Sequence, residues 1–325
     1  MSQPNVFITR RLPASLDPLK ALASVEVWTK RQPPPYDVLL NKIQAIDGLL
    51  CLLTDPIDRS LIEAGNQLRV ISQMAVGYDN IDIPAATEKR IPVGHTPDVL
   101  TDATADFAWA LLMAAARRVV EADRFTRAHQ WQTWEPDLLL GGNIAGATLG
   151  IVGLGRIGQA MARRAKGFDM RILYTNQERC DSALETALNA EFVAFDELLQ
   201  ASDFVTIHTP LTPETHHLFG DRQFQQMQRS AVLINTARGT IVDPEALYRA
   251  LAQGQIAAAA IDVTEPEPIP ADSPLLTLDN LIITPHIASA SRQTREKMAT
   301  MAIANLVAGL RGERLPHCVN PEVYP

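Results

Sequence analysis

Gly153-Leu154-Gly155-Arg156-Ile157-Gly158 reads G-x-G-x-x-G near the middle of the chain. Just ahead lies Thr148-Leu149-Gly150-Ile151-Val152, an apolar run suited to a buried strand. Just after it, Gln159-Ala160-Met161-Ala162-Arg163-Arg164-Ala165-Lys166 has helix-forming composition. In that strand–turn–helix setting each glycine has a task. The first permits the tight turn, the second lets backbone N–H groups approach a pyrophosphate, and the third lets helix and strand pack closely. Three glycines alone would make no more than a tight loop; the flanks point to a dinucleotide-binding turn. Because the motif starts only at residue 153, a whole domain precedes it.

At 325 residues the chain exceeds one ordinary core, so two domains are expected. The first hundred residues alternate helical stretches with apolar runs at 6–8, 25–28, 48–53, 70–74 and 91–93, a small parallel α/β unit. Residues 101–128 read as one long helix whose segment 107–116 is apolar all round and thus expected to be buried on all sides, in the domain core or in one shared with a second subunit. A second, larger α/β unit follows, with strand candidates at 149–152, 170–174, 192–193, 204–208, 231–235, 258–261 and 281–284. The helical stretch 293–310 returns to the first domain. The expected fold is therefore α/β with two Rossmann-like doubly wound domains. A discontinuous, flavodoxin-like substrate domain spans 1–99 and 288–325; a dinucleotide-binding domain with a dimerisation arm spans 100–287. The active site is expected in the cleft between them.

Composition narrows the class. Hydrophobic content of 46% with 20% charged residues fits a globular enzyme, and a net charge of -8 argues against nucleic-acid or anionic-membrane partners. The apolar stretch 107–116 is too short to span a bilayer. The first residues lead straight into a strand with no basic-then-apolar leader, so a cytoplasmic protein is expected. Cys51, Cys180 and Cys318 are scattered and read as reduced thiols, and no Cys/His cluster suggests a metal.

Three segments carry titratable groups just past strand ends: Asn235-Thr236-Ala237-Arg238-Gly239, Asp262-Val263-Thr264-Glu265-Pro266-Glu267-Pro268, and Thr284-Pro285-His286-Ile287-Ala288-Ser289. Ligands of open parallel sheets bind at those ends. An arginine, a carboxylate and a histidine meeting there suit reduction of a 2-oxo acid. A guanidinium grips a carboxylate in a fixed fork and polarises the adjacent carbonyl. An imidazolium donates the proton that a ketone oxygen needs when hydride arrives, and a neighbouring carboxylate keeps it charged near neutral pH. Taken singly, Arg238, Glu267 and His286 would each be read as structural; their joint placement favours function.

These pieces together resemble the D-isomer-specific 2-hydroxyacid dehydrogenases, and within them the glyoxylate/hydroxypyruvate reductases. The resemblance rests also on Val76-Gly77-Tyr78-Asp79-Asn80 and Thr96-Pro97-Asp98-Val99-Leu100-Thr101-Asp102, and it runs through essentially the whole chain. It implies a homodimeric reductase of glyoxylate and hydroxypyruvate. Arg238 would bind substrate, His286 would be the acid/base and Glu267 its partner, while Val76 and Gly77 would hold the substrate carboxylate through backbone N–H groups and Leu53 would line the pocket. Trp134 would reach into the neighbouring subunit's site, or anchor the dimer arm. Cofactor contacts would come from Gly153, Leu154, Gly155, Arg156, Ile157, Gly158, Asn176, Gln177, Arg179, His208, Thr236, Ala237 and Asp262. The rivals are a 2-ketogluconate or broad-range 2-oxo-acid reductase, and a non-catalytic NAD(H)-sensing binding protein.

Two residues depart from the family pattern. Ala288 stands where glycine usually follows His-Ile. The second strand of the nucleotide unit ends Thr175-Asn176-Gln177-Glu178-Arg179, with no acid at the place an NAD-specific site needs one for the ribose hydroxyl. Asn176 would not repel a 2′-phosphate and Arg179 could attract one. NADP(H) is therefore favoured and NAD(H) left open.

Overall fold

The computed structural model describes residues 3–325. Contacts divide the chain into two compact units, Met1–Leu100 with Ala290–Pro325, and Thr101–Ser289.

In the first unit, strands β1 (Asn5–Ile8), β2 (Ser24–Val27), β3 (Gly48–Cys51), β4 (Val70–Gln73) and β5 (Val93–Gly94) alternate with helices α1 (Asp17–Lys20), α2 (Tyr36–Ile43), α3 (Arg59–Ala64) and α4 (Ile83–Glu88). All pair in parallel in the order β2-β1-β3-β4-β5. That is the flavodoxin-like order, and its carboxyl ends form one rim. β3 and β4 are buried throughout, as strands covered on both faces must be. One cover is the last helix, labelled α12 below, whose Leu306 and Leu310 lie over Gly48 and whose Gly309 backs onto Val70. Asp58 and Asp82 cap α3 and α4 by accepting from Leu61 N and Ala85 N.

The second unit opens with α5 (Thr101–Ala116) and α6 (Val119–Arg127). Strands β6 (Thr148–Val152), β7 (Arg171–Thr175), β8 (Ala190–Phe192), β9 (Phe204–Ile207), β10 (Val232–Asn235), β11 (Ala258–Ile261) and β12 (Leu281–Ile283) then alternate with α7 (Arg156–Ala165), α8 (Ser182–Leu188), α9 (Phe195–Ala201), α10 (Asp221–Gln226) and α11 (Pro244–Ala252). Every pairing is parallel, in the order β12-β11-β10-β9-β6-β7-β8. The order reverses between β6 and β9, the place where a doubly wound sheet opens a crevice for ligands. α12 (Arg292–Arg311) belongs to the first unit; Ser291 caps its start and left-handed Gly312 ends it.

The single long helix expected over 101–128 is two. α5 stops because Gly142 N donates to Ala116 O, and a side chain at Gly141 would collide with that oxygen. Arg118 then turns left-handed at φ 53° and braces the new start through a two-bonded pair with Glu121. Nor is α5 covered on every side within the chain. Ala105, Ala108, Leu112 and Ala115 are buried, whereas Ala110 and Met113 are exposed. Among the described residues, no helix is long and apolar enough to cross a membrane.

Candidate active site

In the second unit the sequence-predicted residues gather beyond the carboxyl ends of the strands. Gly153 leaves β6 at φ +98°, a conformation open to glycine, and a Cβ there would strike Thr209 N at 2.7 Å. A Cβ on Gly158 would collide with Gly153 O, so the third glycine serves close packing of turn and helix. Gly155 differs: a Cβ there would meet nothing within 4 Å. Its bareness keeps space open in front of the start of α7. The N–H groups of Gly155, Ile157 and Gly158 have no partner among the described residues. Open space, unpaired donors and a helix N-terminus together fit a pyrophosphate.

The end of β7 is tied to that turn. Gly153 N donates to Thr175 O, and Leu154 N donates to Asn176 Oδ1 at 2.7 Å. Asn176 Nδ2 in turn reaches Cys180 Sγ at 3.2 Å. Gln177 and Arg179 are exposed. Arg179 is held by a residue that the sequence reading missed. Its Nε and Nη2 donate to the two oxygens of Glu185 at 2.9 and 2.8 Å, and Tyr174 Oη donates to the same carboxylate at 2.6 Å. No motif marks that acid, because its meaning comes from α8 folding back over β7.

Past β9, His208 pairs Nε2 with Thr206 Oγ1 at 2.8 Å; burial pushes its pKa down to about 3, so it is neutral. Past β10, Asn235 shapes the next turn: Ala237 N donates to its Oδ1, and its Nδ2 donates to Arg238 O. Thr236 is buried, with an unpartnered hydroxyl among the described residues. Gly239 presses directly on the next loop, since a Cβ would collide with Thr264 O. That contact brings the Arg238 turn against the segment carrying Glu267.

His286 and Glu267, nineteen residues apart, meet with Nδ1 and Oε1 2.6 Å apart. Burial pushes the Glu267 carboxyl up, but the hydrogen bond and charge of His286, with the charge of Arg238, outweigh it and hold the group below the ordinary carboxylate range. His286 itself sits at φ +54°, a costly conformation for a residue with a side chain. Asp262 holds it there. Its buried carboxylate accepts from Thr284 Oγ1 (2.6 Å), Ile287 N (2.9 Å) and Ala288 N (2.7 Å), while its backbone oxygen accepts from His286 N. Close by, His217 Nε2 pairs with Glu265 Oε2 at 2.7 Å and stacks on His216. Those three side chains bring candidate metal ligands within 4.8 Å of one another.

The first unit presents its own rim. Leu53 is half-buried in the turn after β3, and Val76 and Gly77 follow β4. Val76 N–H and Gly77 N–H donate to nothing among the described residues. Their turn is set by side chains to which the sequence assigned no role. Gln73 Nε2 donates to Gly77 O (2.9 Å), Asn80 Nδ2 to Leu52 O and Asp55 O, and His95 Nδ1 lies 3.0 Å from Val76 O. Trp134, in the second unit, is 79% exposed, and Trp131, whose Nε1 donates to Thr133 O, is exposed too.

The sequence profile described as "D-isomer specific 2-hydroxyacid dehydrogenase, NAD binding domain" matches residues 109–288. A protein named glyoxylate reductase from Korarchaeum cryptofilum (strain OPF8) is 51% identical over 323 residues, 99% of this chain and 97% of its own. Another so named, from Aeropyrum pernix, is 49% identical over 328 residues, covering 99% and 98%. A solved protein structure from Thermus thermophilus superposes with a TM-score of 0.91 at 46% identity, over 97% of this chain and 99% of that one.

Proposed function

The chain belongs to the D-isomer-specific 2-hydroxyacid dehydrogenase family, and from that premise we propose that it reduces glyoxylate and hydroxypyruvate to glycolate and D-glycerate. The observation that carries the reading is the 2.6 Å pair of His286 and Glu267, held beside the Arg238 turn on the same sheet as an open glycine turn. A bound reduced nicotinamide dinucleotide supplies the hydride. The turn 153–158, with Asn176, Gln177, Arg179, His208, Thr236, Ala237 and Asp262, is the proposed holder of that group. Arg238 grips the substrate carboxylate and polarises the neighbouring carbonyl. His286 gives its proton to the carbonyl oxygen, and Glu267 stabilises the charged imidazole before that transfer. The Val76 and Gly77 N–H groups are the proposed further carboxylate ligands and Leu53 a pocket wall. Asp262 acts first on the turn, since its oxygens already hold residues 284–288.

The lack of an acid at Asn176 supports a preference for NADPH over NADH. Asn176→Asp should flatten or reverse it, because a carboxylate there accepts the ribose hydroxyl and repels a 2′-phosphate. A homodimer is the proposed assembly. Its support is the apolar exposure of Met113, Val119, Trp131, Trp134 and Leu140, together with a groove of about 740 Å³ at the amino ends of the second unit's strands. A cytoplasmic setting suits the three unpaired thiols. The deciding experiment is turnover of a panel of 2-oxo acids with each cofactor. Glyoxylate-dependent oxidation of NADPH is expected. Cofactor binding without turnover of any acid would favour a sensing protein.

A further inference from the structure

We propose that Glu185 sets how strongly the protein prefers a 2′-phosphorylated dinucleotide, by neutralising and tethering Arg179 at the end of β7. The inference rests on reading the glycine turn as a dinucleotide site. The end of β7 is fixed beside that turn by the Leu154 N to Asn176 Oδ1 bond, so Arg179, three residues on, is the cation nearest in sequence to where the adenosine ribose would lie. A lone arginine there would attract the doubly charged phosphate that distinguishes NADPH. This arginine is not alone. Its Nε and Nη2 edge is filled by Glu185 in a two-bonded fork, and the same carboxylate takes the buried Tyr174 hydroxyl. The Glu185 side chain is only 10% exposed, while that of Arg179 is 65% exposed. The clamp therefore has a fixed, dry end on α8 and a wet end at the proposed ribose pocket. Arg179 and Tyr174 between them hold the Glu185 carboxyl down at about 2, so it stays an anion at any working pH.

Two consequences follow. The pair is neutral overall, so the field reaching a phosphate beyond it is that of a dipole and falls off faster than that of a cation. The guanidinium also cannot turn its Nε and Nη2 edge to the phosphate without breaking two charge-assisted bonds. Glu185 thus lowers a preference that Asn176 and Arg179 would otherwise make large, and the chain accepts both dinucleotides. Neither effect is visible to a motif search, which counts an arginine as a cation wherever it falls.

The test uses 2′,5′-ADP and 5′-ADP as probes, which differ by the phosphate in question. Their affinities are measured by calorimetry for the wild type, Glu185→Gln, Tyr174→Phe and the double variant Glu185→Gln/Arg179→Gln. Glutamine keeps the shape and an acceptor while removing the charge. In Glu185→Gln the ratio of 2′,5′-ADP to 5′-ADP affinity should rise about 5- to 20-fold, the scale of one freed charge-assisted contact. It should rise less as salt is added. The rise should vanish in the double variant. Tyr174→Phe should move the ratio the same way by less, and it carries the test if Glu185→Gln fails to fold. An unchanged or lowered ratio in a folded variant overturns the proposal, as does an equal rise without Arg179. Failure of the wild type to bind either probe would instead overturn the dinucleotide reading, and this inference with it.

Discussion

At the scale of single residues, the proposed chemistry centres on His286, which is held in an unfavourable backbone conformation. His286→Ala should lower glyoxylate reduction by about 10²–10⁴-fold, the usual contribution of a general acid, while cofactor affinity stays near that of the wild type. Steady-state rates beside a cofactor titration check this, and near-normal turnover would remove His286 from the mechanism. Glu267→Gln tests the pairing. The Glu267 carboxyl lies below its ordinary range, so it is ionised wherever the protein works. The wild-type rate should fall on the acid side as pH drops through the lowered Glu267 range and the anion is lost, whereas Glu267→Gln should be slower throughout and lack that limb. Superimposable pH–rate profiles would mean that the 2.6 Å contact is structural only.

At the scale of elements, the three glycines of the β6–α7 turn should separate by experiment. Gly158→Ala drives a methyl group into Gly153 O, a backbone atom that cannot swing aside, so it should lower Tm and cofactor affinity together. Gly155→Ala meets no protein atom within 4 Å. It should leave Tm within a few degrees of the wild type, while weakening ADP-ribose binding by about tenfold or more, the cost of losing a close backbone approach. Thermal melts and calorimetry distinguish the two. Unweakened ADP-ribose binding by Gly155→Ala would mean that the space before α7 is not a ligand site. The sequence marks this turn clearly, since its demands are local. It marks the element before β6 less well. Helix-forming composition runs on from α5 through Arg117-Arg118 into α6, and the approach of residues 141–142 to Ala116 O ends the first helix.

At the scale of the whole molecule, the exposed aromatic side chains bear on the proposed assembly. A chain with Trp131 59% and Trp134 79% exposed carries apolar surface that a second copy would cover. Sedimentation at micromolar concentration should show a dimer; monomer alone would refute that assembly. Trp134→Ala should alter the ranking of 2-oxo acids while glyoxylate reduction survives. An unaltered ranking in a dimer would leave the residue as an anchor.

The sequence by itself determined the two parallel α/β units, because strand and helix patterning and glycine turns act over a few residues. It also nominated Arg238, Glu267 and His286, through their places just after strand ends. It could not show that Glu267 and His286 touch, because a contact across nineteen residues depends on the path of two loops. Nor could it show that Asp262 holds the 284–288 turn, or that Gln73 and Asn80 hold the one at 76–80. The pairing of Arg179 with Glu185 is the clearest case: in the sequence the arginine is a cation, and in the fold it is half of a neutral clamp. Tertiary structure decided these points because hydrogen bonds and ion pairs depend on distances of a few tenths of an ångström, which are set only when distant segments pack.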